Sequence, residues 1–167
     1  MRVSVIGGSS IPPETAAVAE ELGAELADRG HTVVCGGLGG VMEAVCRGAR
    51  EADEDDEDGD EDSSIETIGI LPTDRREDAN PYVTIPIATG LGHARNALVV
   101  MNGDAAVAVN GGPGTLSEIG LALAHGRAVA GIDTHDVEGV EAAGSPSKAV
   151  DYVEGAVGDE KYAGNGM

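Results

Sequence analysis

The chain has 167 residues, enough for one domain with its own hydrophobic core. Its 30 Asp and Glu residues against 10 Lys and Arg residues give a formal net charge of −20, which disfavours nucleic acids and anionic membranes as partners. The chain has no apolar run long enough to span a bilayer and no signal-peptide pattern, so we expect a cytoplasmic protein.

The remaining composition indicates an origin for the charge and shows no spacing typical of a Cys/His metal site. Only Lys148 and Lys161 are lysines, and Phe and Trp are absent, a bias typical of salt-loving archaea, whose salt screens self-repulsion. Cys35 and Cys46 lack the spacing of a zinc site, and the four histidines are scattered along the chain. We therefore expect no metal and no bound cofactor, and we interpret both cysteines as buried small hydrophobes.

The first part of the chain repeats one unit, made of a strand, a glycine-rich loop and an amphipathic helix. In order, the pattern predicts a strand at 2–6, a loop at 7–10, a helix at 12–29, a strand at 31–35, a loop at 36–40 and a helix at 41–50. Two successive units of this kind predict a parallel sheet with right-handed crossovers.

An acidic run follows at residues 51–62, where ten of twelve residues are Asp or Glu. We interpret it as a flexible, solvated insert, because so dense a like charge cannot pack. A calcium loop is the alternative, but the run lacks the ligand spacing and the closing glutamate of an EF-hand.

The second part continues the alternation with shorter elements. Strands are predicted at 64–71, 82–87, 104–109 and 128–132, helices at 93–101, 119–125 and 148–157, and irregular chain at 73–81 and 134–147. Pro86 confines its strand to an edge of the sheet or to its own end. The tail at 158–167 is expected to fray.

These elements predict an α/β fold. We expect a single Rossmann-like domain over residues 1–157, with a doubly wound, mainly parallel sheet of about five to seven strands and helices on both faces. In such folds, ligands bind at the carboxyl ends of the strands.

The segment from Asn110 to Glu118 (Asn-Gly-Gly-Pro-Gly-Thr-Leu-Ser-Glu) joins a strand to a helix at that edge of the sheet. Its glycines allow a tight turn and a close approach to a ligand, and the free amides of a new helix favour phosphate. Thr115 and Glu118 also have the spacing of a capping box, which needs no ligand, so the segment alone leaves both interpretations open.

Three glycine-bearing loops after three strands together favour a pocket for a nucleotide or a sugar phosphate. The expected contact residues are Gly7, Gly8, Ser9, Ser10, Gly36, Gly37, Gly40, Met42, Glu43, Gly111, Gly112, Gly114 and Thr115. The dinucleotide fingerprint, the P-loop and the serine nucleophile elbow are absent, so ordinary dehydrogenases, NTPases and serine hydrolases are not supported.

Three motifs carry a family resemblance, namely Gly36-Gly-Leu-Gly-Gly-Val-Met-Glu43, Gly90-Leu-Gly-His-Ala-Arg-Asn96 and the segment from Asn110 to Glu118. In this order they resemble the LOG-like (SLOG) Rossmannoid proteins, and within them the small DprA/Smf-related branch near the molybdenum cofactor carrier. The resemblance covers residues 1–132. It also implies a homodimer or a larger homo-oligomer.

The cytokinin-activating members of that family hydrolyse the N-glycosidic bond of adenosine 5′-monophosphate derivatives. By resemblance, their catalytic arginine falls on Arg95 and their catalytic acid on Glu118. However, Asn110 stands where these enzymes carry proline, and Asn96 stands where they usually carry lysine, which removes a positive charge. The family's former label of lysine decarboxylase is rejected, because Lys148 and Lys161 lie away from every glycine loop.

Two hypotheses therefore stand. The first is a binding, carrier or sensor protein for a phosphorylated small molecule, with the molybdenum cofactor, a pterin phosphate, as one candidate. The second is a nucleoside 5′-monophosphate phosphoribohydrolase that uses Arg95 and Glu118. In a purely structural alternative Arg95 caps a turn or pairs with a surface acid. His93 and His125 are interpreted as helix-surface residues and not as bases.

Overall fold

In the computed structural model, which describes residues 1–55 and 64–163, strands and helices alternate along the chain. The strands are β1 (Arg2–Gly7), β2 (Thr32–Cys35), β3 (Thr67–Leu71), β4 (Ile85–Ala88), β5 (Ala105–Val109), β6 (Val129–Ile132) and β7 (Val140–Ala142). The helices are α1 (Pro13–Asp28), α2 (Val41–Asp55), α3 (Asn96–Met101), α4 (Pro113–Ala124) and α5 (Pro146–Ala163). Short 3-10 helices lie at Arg76–Asp78 and Gly92–Arg95.

All seven strands belong to one parallel sheet, in the order β4-β3-β2-β1-β5-β6-β7. Strands β2 to β4 are added on one side of β1, and strands β5 to β7 are added on its other side. The topological switch point therefore lies between β1 and β5. The predicted doubly wound parallel sheet is confirmed. The predicted edge position of Pro86 is also confirmed, because β4 is the outermost strand on its side.

Hydrophobic cores lie on both faces of the sheet, as helices on both faces require. On one face, Val3 and Val5 of β1 belong to the core that includes Leu22 of α1. On the other face, Ile6 belongs to the core that includes Ile119 of α4. The alternation along β1 follows from the two-residue period of a strand, and burial on both sides explains why the central strands read as continuous apolar runs.

Helices α1 and α2 cross at glycines that the sequence pattern did not single out. A Cβ atom on Gly23 would lie 2.1 Å from the Val45 carbonyl oxygen, and one on Gly48 would lie 2.0 Å from the Glu20 carbonyl oxygen. The two backbones are therefore closer than any larger residue allows. This contact fixes α2, whose first turn borders the site described below.

The expected loop at residues 51–62 is wrong for residues 51–55, which continue helix α2. Arg50 lies 3.3 Å from Asp53 and 4.0 Å from Glu54, at the helical spacings that bring opposite charges together. Asp53 also accepts a hydrogen bond from the Ile65 amide at 3.1 Å. These pairings offset part of the repulsion in the acidic run, of which residues 56–62 lie outside the described residues.

Two further expectations near the end of the chain are wrong. Residues 158–163 do not fray but continue α5, while residues 164–167 lie outside the described residues. The segment expected to be irregular contains β7, a strand of only three residues with two of them exposed, which leaves no alternation to detect. No helix in residues 1–55 and 64–163 is long and apolar enough to cross a membrane.

Candidate functional site

A cavity of about 420 Å³ lies at the carboxyl edge of the sheet, at the switch point between β1 and β5. This volume falls within the range of about 300 to 1,000 Å³ that is usual for small-molecule sites. The residues predicted from sequence that line it are Gly7, Gly8, Ser9, Met42, Arg95, Gly112, Gly114, Thr115 and Glu118. Six lining residues were not among the predicted contacts: Leu38, Pro72, Gly92, His93, Asn96 and Pro113.

The other predicted contact residues, Ser10, Gly36, Gly37, Gly40, Glu43 and Gly111, do not line this cavity. Some of these glycines bring loops close to each other. A Cβ on Gly40, whose φ is 67°, would lie 2.2 Å from the Gly8 carbonyl oxygen. A Cβ on Gly111, whose φ is 113°, would lie 2.3 Å from Thr115 Oγ1. These two glycines therefore shape the wall from outside the cavity.

Helix α4 begins at Pro113, six residues earlier than the sequence pattern predicted, so the glycine motif forms its first turn. Gly112 is the N-cap and no side chain caps the helix, so the capping-box alternative for Thr115 and Glu118 is wrong. In the described part of the chain, the amides of Gly114 and Thr115 have no acceptor. Both residues line the cavity, which places free donors at the positive end of a helix dipole in its wall.

Arg95 is buried at the end of the second 3-10 helix, with 8% of its surface exposed. Its Nε donates to the Ile70 carbonyl at 2.9 Å, its Nη2 to the Gly36 carbonyl at 3.3 Å, and its Nη1 to Asn96 Oδ1. The alternative in which Arg95 pairs with a surface acid is therefore wrong. Burial lowers the pKa of Arg95, while the neighbouring charge of Glu118 opposes that shift.

Asn96 connects Arg95 to the first turn of α4. Besides accepting from Arg95, it donates through Nδ2 to Ser117 Oγ at 3.3 Å, and the Ser117 hydroxyl donates to the Gly114 carbonyl at 2.7 Å. Asn96 itself is buried. The asparagine that replaces the enzymes' usual lysine therefore fixes the arginine.

Glu118 lies in the second turn of α4 and reaches the cavity wall with 7% of its surface exposed. Among the side chains and amides that the structure describes, none donates a hydrogen bond to its carboxylate. Burial raises the pKa of Glu118 to about 7, although the positive charge of Arg95 acts in the opposite direction. Near neutral pH the carboxyl group is thus divided between its protonated and ionised forms.

The two histidines considered in the sequence analysis differ in their position relative to the cavity. His93 is exposed on the 3-10 helix before α3, as expected of a helix-surface residue, and it also lines the cavity. His125 is exposed at the end of α4, as expected.

The two cysteines lie in the core and not in the cavity wall. Cys35 and Cys46 are free and buried, with their Sγ atoms 3.6 Å apart, which confirms their interpretation as buried side chains. Within the described residues there is no cluster of three or more His, Cys, Asp or Glu side chains placed to hold a metal ion.

A doubly wound parallel sheet with a cavity at its switch point defines a Rossmann-like protein. The chain belongs to the SLOG cluster4 family, whose model matches residues 1–157. The family resemblance inferred from the three glycine motifs is thereby confirmed.

Several known proteins resemble this chain over most of its length. A protein of Archaeoglobus fulgidus, described as uncharacterized, is 39% identical over 154 residues, which cover 91% of this chain and 93% of that protein. The molybdenum cofactor binding protein of Rippkaea orientalis is 30% identical with a TM-score of 0.81, covering 93% of this chain and 96% of that one. The molybdenum cofactor carrier protein of Chlamydomonas reinhardtii is 29% identical with a TM-score of 0.80, covering 94% and 98%.

DNA processing protein A of Helicobacter pylori is a more distant neighbour. It is 17% identical with a TM-score of 0.59, covering 94% of this chain and 73% of that one. At this identity the likeness shows a shared fold alone.

Proposed function

We propose that this protein binds a phosphorylated small molecule in the cavity at the switch point and acts as a binding or carrier protein. The observation that carries the proposal is the pair of free amides, those of Gly114 and Thr115, in the cavity wall at the start of α4. The first turn of a helix binds phosphate through such amides and through the helix dipole.

The ligand we propose is a pterin phosphate of the molybdenum cofactor type. The solved structures of Rippkaea orientalis and Chlamydomonas reinhardtii support this choice, because both proteins are named for that cofactor and match nearly the whole chain. Leu38, Met42 and Pro72 add an apolar part to the wall that suits a flat ring, while the α4 amides suit its phosphate.

Local charge supports binding of an anion despite the net charge of −20. Arg95 brings a buried positive charge into the wall. Because the pKa of Glu118 is raised to about 7, protonation removes the opposing negative charge and leaves a carboxyl group that can donate to a phosphate oxygen.

One observation favours the hydrolase as a second candidate. A carboxyl group with a pKa near 7 in a cavity has the properties of a general acid or base, so Glu118 could assist cleavage of an N-glycosidic bond. Against this, Arg95 is held by two carbonyls and Asn96, and among the described residues no lysine lines the cavity with it.

The test is an incubation in molar KCl with AMP and with a phosphorylated pterin. Melting temperature and free base are measured in the wild type and in Glu118→Gln. We expect the melting temperature to rise with ligand, because a ligand that binds only the folded state stabilises it, and we expect no base release. Base release by the wild type that Glu118→Gln lacks would instead establish the hydrolase.

A further inference from the structure

The loop after β6 holds the backbone of the glycine corner, by which we mean residues 110–114. Thr134 Oγ1 donates to the Asn110 carbonyl at 2.6 Å, and His135 Nε2 lies 3.0 Å from the Gly112 carbonyl oxygen. A carbonyl oxygen only accepts hydrogen bonds, so Nε2 is the nitrogen of His135 that carries a proton. Two consecutive side chains therefore donate to two carbonyls of the corner.

The corner has a backbone conformation that needs such support. Asn110 has a φ of 52°, in the left-handed region that non-glycine residues rarely adopt, and Gly111 follows with a φ of 113°. The Asn110 carbonyl has the Thr134 hydroxyl as its partner, and the Gly112 carbonyl has the Leu116 amide and His135. Rotation of either peptide would break these hydrogen bonds and could turn a carbonyl dipole towards a bound anion.

The fold makes room for this contact. Asp133 has a φ of 46°, which turns the chain directly after β6 so that the next two residues reach back to the corner. A Cβ on Gly131 in β6 would lie 2.7 Å from Thr134 Cγ2, so the strand has a glycine where the threonine packs.

We propose that Thr134 and His135 are positioning residues that keep the carbonyls of Asn110 and Gly112 turned away from the ligand, so that the corner presents amides to a phosphate group. Neither residue lines the cavity at the switch point, so both act through the corner. This inference rests on the proposed function, because it concerns the same phosphate group.

The test compares variants that remove each donor with variants that keep one. Thr134→Val and His135→Leu remove the donors, whereas Thr134→Ser and His135→Gln retain a hydroxyl and an N–H group. Thr67→Val is the matched control. Thr67 Oγ1 donates to the Tyr82 carbonyl at the same 2.6 Å, but Thr67 begins β3 and so lies at the amino ends of the strands, opposite the cavity. The readout is the ratio of dissociation constants for adenosine and AMP, which reports the phosphate contribution and not overall stability.

In the wild type we expect AMP to bind more tightly than adenosine. Thr134→Val and His135→Leu should each reduce this preference about five- to tenfold, the effect of losing one hydrogen bond, and the donor-retaining variants should keep it within about twofold. Thr67→Val should lower the melting temperature without changing the preference. An unchanged preference in Thr134→Val and His135→Leu, or an equal loss in Thr134→Ser, would overturn the inference while leaving phosphate binding in place. A wild type that prefers neither AMP over adenosine nor a phosphorylated pterin over its dephosphorylated counterpart would overturn both proposals.

Discussion

Arg95 and Glu118 lie in the wall of the same cavity, but Arg95 donates its hydrogen bonds to two backbone carbonyls and to Asn96, not to the Glu118 carboxylate. Each charge influences the other over a longer distance, since Arg95 lowers the pKa of Glu118 and Glu118 raises that of Arg95. Burial nevertheless dominates both shifts. The site therefore keeps a fixed cation beside a carboxyl group that can gain or lose a proton near neutral pH.

The first prediction concerns the stability of Glu118→Gln. The pKa of Glu118 rises from 4.5 to about 7 on folding, so its ionisation at high pH favours the unfolded chain. Its contribution to stability is thus complete below pH 4.5 and is lost as the pH rises through about 7. We expect the variant to match the wild type at pH 4 and to exceed its free energy of unfolding at pH 8 by up to roughly 3 kcal/mol.

Urea unfolding in molar KCl at several pH values measures this difference. Glu21→Gln, which changes an exposed glutamate on α1, is the control for the loss of one negative charge. A gain at pH 8 that is equal in both variants would show that Glu118 has no special role.

The second prediction concerns the pH dependence of ligand binding. A bound phosphate favours the protonated form of Glu118, so binding should take up a proton and weaken as the pH rises through about 7. Between pH 6 and pH 8, the wild type should lose about tenfold more affinity for AMP than Glu118→Gln loses. Parallel pH profiles of the two proteins in calorimetric titration would contradict this. The phosphate of AMP ionises in the same way with both proteins, so comparing them removes its contribution.

The third prediction concerns the contact between α1 and α2. Gly48→Ala should destabilise the protein by at least about 3 kcal/mol, because the new Cβ would lie 2.0 Å from the Glu20 carbonyl oxygen. The matched variant is Gly155→Ala in α5, where a Cβ meets nothing within 4 Å. It should stabilise the protein by about 0.5 to 1 kcal/mol through helix propensity. Similar urea midpoints for the two variants would show that α1 and α2 do not cross this closely.

Much of the fold follows from local sequence signals. Glycines and prolines mark the ends of the apolar runs, and Pro86 excludes a central position for its strand, so the parallel sheet is predictable. Element boundaries depend on contacts that sequence patterns do not display. The ion pairs of Arg50 extend α2 into the acidic run, and Gly112 starts α4 without a capping side chain.

The site is also predictable only in part, because some of its residues lie in local motifs and others meet only through the fold. Gly112, Gly114 and Thr115 lie in a recognisable motif, whereas Leu38 and Pro72 line the cavity only because separate loops meet there. Thr134 and His135 show no sequence signal, since their role depends on hydrogen bonds to a backbone more than twenty residues away. Self-association and adaptation to high salt stay predictions, which sedimentation and melting across KCl concentrations would test.

The most direct test of phosphate binding at α4 is a calorimetric titration of the wild type and Gly114→Ala with a phosphorylated pterin and with its dephosphorylated counterpart. A Cβ on Gly114 meets nothing within 4 Å, and alanine favours a helix, so this variant should keep or gain stability while its methyl group occupies space beside the free amides. We predict that the wild type binds the phosphorylated pterin at least about tenfold more tightly, consistent with charge-assisted hydrogen bonds to the amides, and that Gly114→Ala loses this preference. Equal affinity of the wild type for both pterins, or an undiminished preference in Gly114→Ala, would contradict the proposed site.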